Sequence, residues 1–258
     1  MTKTEVLELF QRRAGPALLA LGFEGQAGHF VRSRGAITQV IELQHSIYGG
    51  RVTANLGLDL PGLLPPVRWI PQPTIGPHAH DAARWVRIGM AMPERADRWW
   101  AFTDQAPSVV EAIDGLGGAI TGYGLDWLDR EGAWDALLRH AEERLERSRS
   151  PICADGGFLE LRLLTALHAE GGDARRARSL FRLAAALWPA ELKKLEAARR
   201  HYLEKNHPPG TKLKAVPDLL AELEALIGPT KAASSRPRAP ASEKRKRSRS
   251  ARPGSSPG

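Results

Sequence analysis

The chain has a single cysteine, Cys153, which excludes an internal disulfide framework and a metal cage built from cysteine ligands. A lone buried thiol is the simple reading of that residue. No stretch approaches the roughly 18 uninterrupted apolar residues of a membrane span. The opening MTKTEVLELFQRR has no basic segment followed by a clean apolar one, so no secretory signal is expected and a soluble cytoplasmic protein is the default. Catalytic signatures are missing too. There is no Gly-x-Ser-x-Gly elbow, no phosphate-cradling GxxxxGK[ST] and no His-Glu-x-x-His. The glycines at 115, 117, 118, 122 and 124 do not satisfy a dinucleotide fingerprint. These absences lower the expectation of an enzyme, and no cofactor is expected.

Charge of one sign is also lacking over most of the chain. The 258 residues carry a net charge of +8, but Pro229–Gly258 holds nine basic residues and one acid, Glu243. Residues 1–228 therefore hold 28 basic and 28 acidic residues and are neutral overall. This excludes a uniformly basic fold. About 228 residues of balanced composition suffice for one large domain or two small ones.

What is present is a change of period along the chain. Val6, Leu7, Phe10, Leu18 and Leu21 form a helical stripe over 4–21, with Thr2 and Glu5 as a capping box and Pro16 predicting a kink or restart near Gly15. From Gly28 the period becomes two. Strands are predicted over 29–34, 36–43 and 51–60, with a reversal at Gly35 and a turn at Tyr48-Gly49-Gly50. In the third strand Val52, Ala54, Leu56, Leu58 and Leu60 face one side; Arg51, Thr53, Asn55 and Asp59 face the other. Six prolines make 61–84 a loop. A further strand is predicted over 85–92, and a helix over 107–120 ending at the glycines 117 and 118.

Beyond Glu131 the period is helical, with helices predicted over 131–148, 157–170, 174–187, 190–206 and 216–227. Ser150-Pro151 and Asp155-Gly156-Gly157 mark a predicted boundary. The expected organisation is an α+β domain over 1–150, a helical extension over 151–228 and a disordered Arg/Lys/Ser/Pro-rich tail over 229–258. The α+β domain is expected to be an N-terminal helix with a small antiparallel meander sheet and packed helices. Gly172, Ala177, Phe181, Ala184 and Pro189 fall at the spacings of a tetratricopeptide repeat, but one unit cannot make a solenoid, so an αα-hairpin is expected.

An ordered set of short motifs then points to a family. Leu21-Gly22-Phe23, Phe30, Val40-Ile41-Glu42-Leu43-Gln44, Asn55-Leu56-Gly57, His80, Arg87-Ile88-Gly89 and Trp99-Trp100 follow one another between Phe10 and Trp127. In this the chain resembles a bacterial family, DUF4304, a domain of unknown function. The resemblance implies an α+β fold with a small antiparallel sheet and implies no known activity.

Candidate sites follow from the residues themselves. Gln44, Arg51 and Asn55 are expected to share the open face of the sheet, a candidate interaction surface if the later helices leave it uncovered. Gly57, in the same strand, predicts a bulge or the close approach of another backbone. Adjacent Trp99 and Trp100 cannot both point inward, so one is expected to offer a contact hot spot. His78 and His80, with His45 or Asp81 supplying a third ligand, form a candidate metal site, on which an unrecognised hydrolase or other metal-dependent enzyme would centre; a polar loop is the simpler reading. Lys244, Arg245, Lys246, Arg247 and Arg249 form a candidate polyanion contact. Without aromatic residues to stack on bases, DNA or RNA would be held nonspecifically, with a log affinity–log salt slope no steeper than about −8. The expected partner is a protein, docking on the sheet face or the proline-rich loop, with an immunity-type or regulatory role compatible and no membrane involved.

Overall fold

The structure is a computed structural model that describes residues 2–61, 63, 78–103, 105–148, 157–206 and 215–228. Cys153, five of the six loop prolines and the whole basic tail lie outside them. The described residues up to Gly228 form one compact unit.

Helix α1 (Lys3–Arg13) starts at the expected capping box: Thr2 Oγ1 accepts from the Glu5 N–H at 3.3 Å, and Glu5 Oε2 accepts from the Thr2 N–H at 2.7 Å. The chain restarts as α2 (Gly15–Ala20), with Pro16 in the first turn, where its missing N–H costs nothing. An antiparallel sheet follows in the order β1 (Glu24–Gln26), β2 (His29–Arg34), β3 (Ile37–His45), β4 (Arg51–Asp59) and β5 (Arg84–Arg87). The two-residue β6 (Trp100–Ala101) pairs with the start of β4. Strand β1 has only three residues, all exposed, and gives no period-two signal to read.

Three sequence expectations are corrected. The strand predicted over 85–92 ends at Arg87 and turns into the short helix α3 (Ile88–Ala91). A Cβ at Gly89 would sit 2.1 Å from the Ala96 carbonyl oxygen, so the chain folds back there where a strand would have run on. The helix expected to stop at Gly117-Gly118 does not. Helix α4 (Ala106–Ala119) passes through a wider π-turn at Ile120–Gly124 into α5 (Leu125–Glu131), because Ile113, Leu116, Ile120 and Leu128 keep one apolar stripe buried. Helix α6 (Trp134–Ser148) begins afresh. Finally, the two helices expected either side of Pro189 are one, α8 (Ala174–Asn206). Proline removes one helical hydrogen bond, but buried Ala184 and Trp188, the latter ring 5.1 Å from Phe158, hold the helix through it.

Helices α7 (Phe158–Glu170) and α8 form the expected αα-hairpin, turning at Gly172 with φ +85°. Leu180 is buried within it, and Phe181 beside it is only partly buried. Helix α9 (Leu219–Ile227) packs on both and is tied by Arg162 to Glu222 at 3.1 Å. No described helix is long and apolar enough to cross a membrane.

One apolar cluster runs from Val6 to Leu223. In the sheet, Ile41 lies opposite Leu56 and Leu43 opposite Ala54, on the face that α4 and α5 cover. The Phe10 ring of α1 meets Phe30 of β2 edge-on at 6.1 Å. A buried polar network pins α5 to the same sheet. Arg32 donates to Gln39 Oε1 and Asp129 Oδ1 at 2.7 Å each and to the Leu21 carbonyl at 3.1 Å.

Candidate functional site

Residues paired across an antiparallel ladder point to the same side. The register therefore assembles a second row, on the opposite face from the core. Gln26 pairs with His29, His29 with Glu42, Glu42 with Asn55 and Asn55 with Arg87. Five polar side chains from five strands thus cross the sheet in one line. Gln44 and Thr53, paired with each other, stand beside it.

This face is not open, as the alternation in β4 suggested. Thr53 is 0% exposed, Asp59 4% and Asn55 6%. Two irregular segments cover it, and no later helix does among the described residues. The first is the 3-10 turn Ala79–Asp81. Gly57 makes room for it: a Cβ there would lie 2.8 Å from Ala79 Cα and 3.0 Å from its carbonyl oxygen. The close backbone approach expected at that glycine is thus present. Glu42 holds the turn, with Oε1 2.9 Å from His78 Nδ1 and Oε2 accepting from the Ala79 N–H at 3.1 Å. The second cover is the stretch leading into β6, where Thr53 Oγ1 donates to the Arg98 carbonyl at 2.9 Å.

Between the two covers lies a cleft of about 330 Å³ lined by Lys3, Glu42, Leu43, Gln44, His45, Asn55, His80, Trp85 and Arg87. On its floor Gln44 Oε1 accepts from Asn55 Nδ2 at 3.2 Å and from Arg87 Nη2 at 3.4 Å. Asn55 Oδ1 and Arg87 Nε are buried and have no hydrogen-bond partner among the described residues. At one end Arg87 Nη1 bonds Asp97 Oδ2 at 2.7 Å, and the Trp99 indole N–H donates to the same oxygen at 3.2 Å. The Arg87 hydrogen bond is the largest cause of an Asp97 carboxyl held below its usual range. The Arg51 and Arg87 guanidinium groups each lie 5.0 Å from the Trp99 ring centroid.

The candidates singled out in the sequence are therefore sorted. Gln44 and Asn55 meet, and Arg51 joins Trp99 at the rim. Trp100 does not belong to this site. It pairs with Val52, on the helix-covered side, and its indole packs against Gly115. His78 and His80 lie together, rings stacked at 5.8 Å, with His29 edge-on to His78 at 5.7 Å. Their Nδ1 atoms are directed to Glu42, at 2.9 and 3.7 Å. His45 is not brought to them: it lines the cleft with its ring 6.1 Å from Phe102. The Asp81 side chain lies outside the described residues, among which no group of three His, Cys, Asp or Glu side chains is arranged to hold a metal ion. Lys244, Arg245, Lys246, Arg247 and Arg249 lie outside the described residues. Sequence reasoning missed Glu42, Arg87 and Asp97 as site residues, because only the register brings them beside Asn55.

No curated protein and no solved structure matches the chain. A family model does match, over residues 14–130. That stretch contains the sheet, both of its covers and, except for Lys3, the residues lining the cleft. Residues 14–130 of this chain are thus similar to DUF4304, a domain of unknown function, as the ordered motifs of the sequence suggest.

Proposed function

We propose that the chain is a non-enzymatic binding module whose protein partner docks on the polar face of the sheet, over the cleft and the Trp99 rim. One observation carries this reading. Asn55 Oδ1 is a buried acceptor in a cleft, without a partner among the described residues. A polar group left this way costs stability, and functional sites are where proteins tolerate that cost. On this face Arg87 is paired with Asp97, and Glu42 lies beside Asn55, which suits a protein partner better than a polyanion. An immunity-type or regulatory role fits such a module.

The test is capture from a lysate of the source cells by three baits: the full chain, residues 1–228, and the full chain with Trp99→Ala. The reading expects one protein to be retained by the first two and lost by the third. Loss on removing 229–258, with Trp99→Ala still capturing, contradicts it.

A second reading rests on the charge map alone. The whole net charge of +8 is concentrated in thirty residues, which suits nonspecific association with DNA or RNA through Lys244, Arg245, Lys246, Arg247 and Arg249. Equal nucleic-acid binding by the full chain and by residues 1–228 contradicts it.

A further inference from the structure

We infer that the cleft over Asn55 and Arg87 receives a primary carboxamide, the side chain of a glutamine or asparagine presented by the docking partner. The inference rests on the binding-module reading and names the group that module takes hold of.

Two unpartnered atoms define the complement. Asn55 Oδ1 needs a donor and Arg87 Nε needs an acceptor. The two residues are cross-strand neighbours, and their heads already converge on one oxygen, Gln44 Oε1. A ligand serving both must present an N–H and a C=O side by side. A primary carboxamide does so, since one of its two N–H bonds lies on the same side as its carbonyl. A trans peptide group cannot, because its N–H and C=O point in opposite directions. The ligand is also neutral. Arg87 is already paired with Asp97, and Lys3, the other cation of the lining, is balanced by Glu42, so the cleft offers no surplus charge to a carboxylate or phosphate.

The chain itself carries a stand-in. Gln44 is a carboxamide whose oxygen is held by other atoms of the same two residues, Asn55 Nδ2 and Arg87 Nη2, so the floor already accommodates a carboxamide oxygen beside the two unpartnered atoms. Gln44 is only half-buried, and it is the side chain that turns aside when a ligand reaches the atoms beneath it. Trp85, 45% exposed, lines the same cleft and offers an apolar surface to the methylenes of a glutamine.

The experiment titrates the full chain with propionamide, N-methylacetamide and uracil. It follows the Trp85 indole and the Asn55 and Gln44 side-chain amide signals by NMR. Propionamide is expected to shift them saturably in the millimolar range, the scale for a ligand of a few heavy atoms. N-methylacetamide is expected to bind at least about tenfold more weakly, the size of one lost hydrogen bond with its partner left unpaired. Two variants move in opposite directions, which separates binding from folding. Gln44→Ala removes the side chain standing over the two atoms and frees Asn55 Nδ2 and Arg87 Nη2 as well, and tightens propionamide binding several-fold. Asn55→Leu abolishes the shifts while the thermal midpoint holds or rises, because an unpaired buried acceptor has been removed.

Equal binding of N-methylacetamide, uracil binding in place of propionamide, no tightening in Gln44→Ala, or retained binding in Asn55→Leu overturns the inference. If no probe binds while capture of a protein partner still depends on Trp99, the carboxamide assignment falls and the binding-module reading stands. If that capture fails as well, both fall.

Discussion

Leu56 and Asn55 are adjacent on β4, both more than nine-tenths buried, and face opposite sides of the sheet. Around Leu56 the neighbours are apolar, and helices cover them. Around Asn55 they are Glu42, Gln44, Thr53 and Arg87, covered by two irregular segments that leave a cleft between them. Burial of the first kind is what folds the chain. Burial of the second kind gains little from the hydrophobic effect and leaves two polar atoms unpaired among the described residues. The two faces thus differ in what their burial contributes to stability, and variants on each separate the contributions.

The largest effect belongs to the apolar face. Leu56→Ala removes a fully buried side chain and is expected to cost about 2–5 kcal/mol in denaturant unfolding, with partner capture falling only as far as the folded fraction falls. If Leu56→Ala is tolerated, the two faces do not differ as described.

The helical side also governs the acid limb. Burial first, and then Arg84, Arg144 and Arg147, push His140 of α6 down from 6.5 to about 4. Between those values the unfolded chain binds the proton and the folded one does not. Stability is therefore full above pH 6.5 and falls as the pH drops toward 4, by about 1–2 kcal/mol once the screening of a half-buried ring is allowed for. In His140→Gln this part of the pH–stability curve should flatten. Asp97, on the polar side, is depressed, so its contribution is present above the normal carboxylate range and lost only as the pH falls through its lowered value. It is more than half exposed, so that contribution is small.

Gly57→Ala sharpens the comparison from within the polar face. The new methyl meets the backbone of Ala79, so the 3-10 cover must shift, at about 1–3 kcal/mol, and the Glu42 contacts to His78 and Ala79 should loosen in amide hydrogen exchange. The smallest effect on stability belongs to Trp99→Ala. It removes two cation–π contacts at the rim, about 0.5–1 kcal/mol each, and one exposed indole hydrogen bond to Asp97, and leaves the core intact.

Much of the fold was legible because hydrophobic periodicity is a local signal. The capping box at Thr2, the restart at Pro16, the three long strands and the αα-hairpin all follow from residues close in sequence. The failures come where tertiary contact overrides local preference. Pro189 sits inside a helix because Trp188 packs on Phe158, and the glycines after Leu116 do not stop α4 because its apolar stripe continues to Leu128. The site was half legible. Gln44, Arg51 and Asn55 stood out as polar residues of one face, and Trp99 only as one of an adjacent pair with Trp100. Glu42 and Arg87 did not, because their place beside Asn55 depends on register, and a shift of one residue would have sent them to the other side.

The most direct test of the polar face as a recognition surface is the amount of one partner protein captured by Trp99→Ala relative to the unsubstituted chain, both lacking 229–258. The account predicts a loss of about tenfold or more, the scale of an interface anchor removed, with the fold intact by thermal unfolding. Undiminished capture by Trp99→Ala would contradict it.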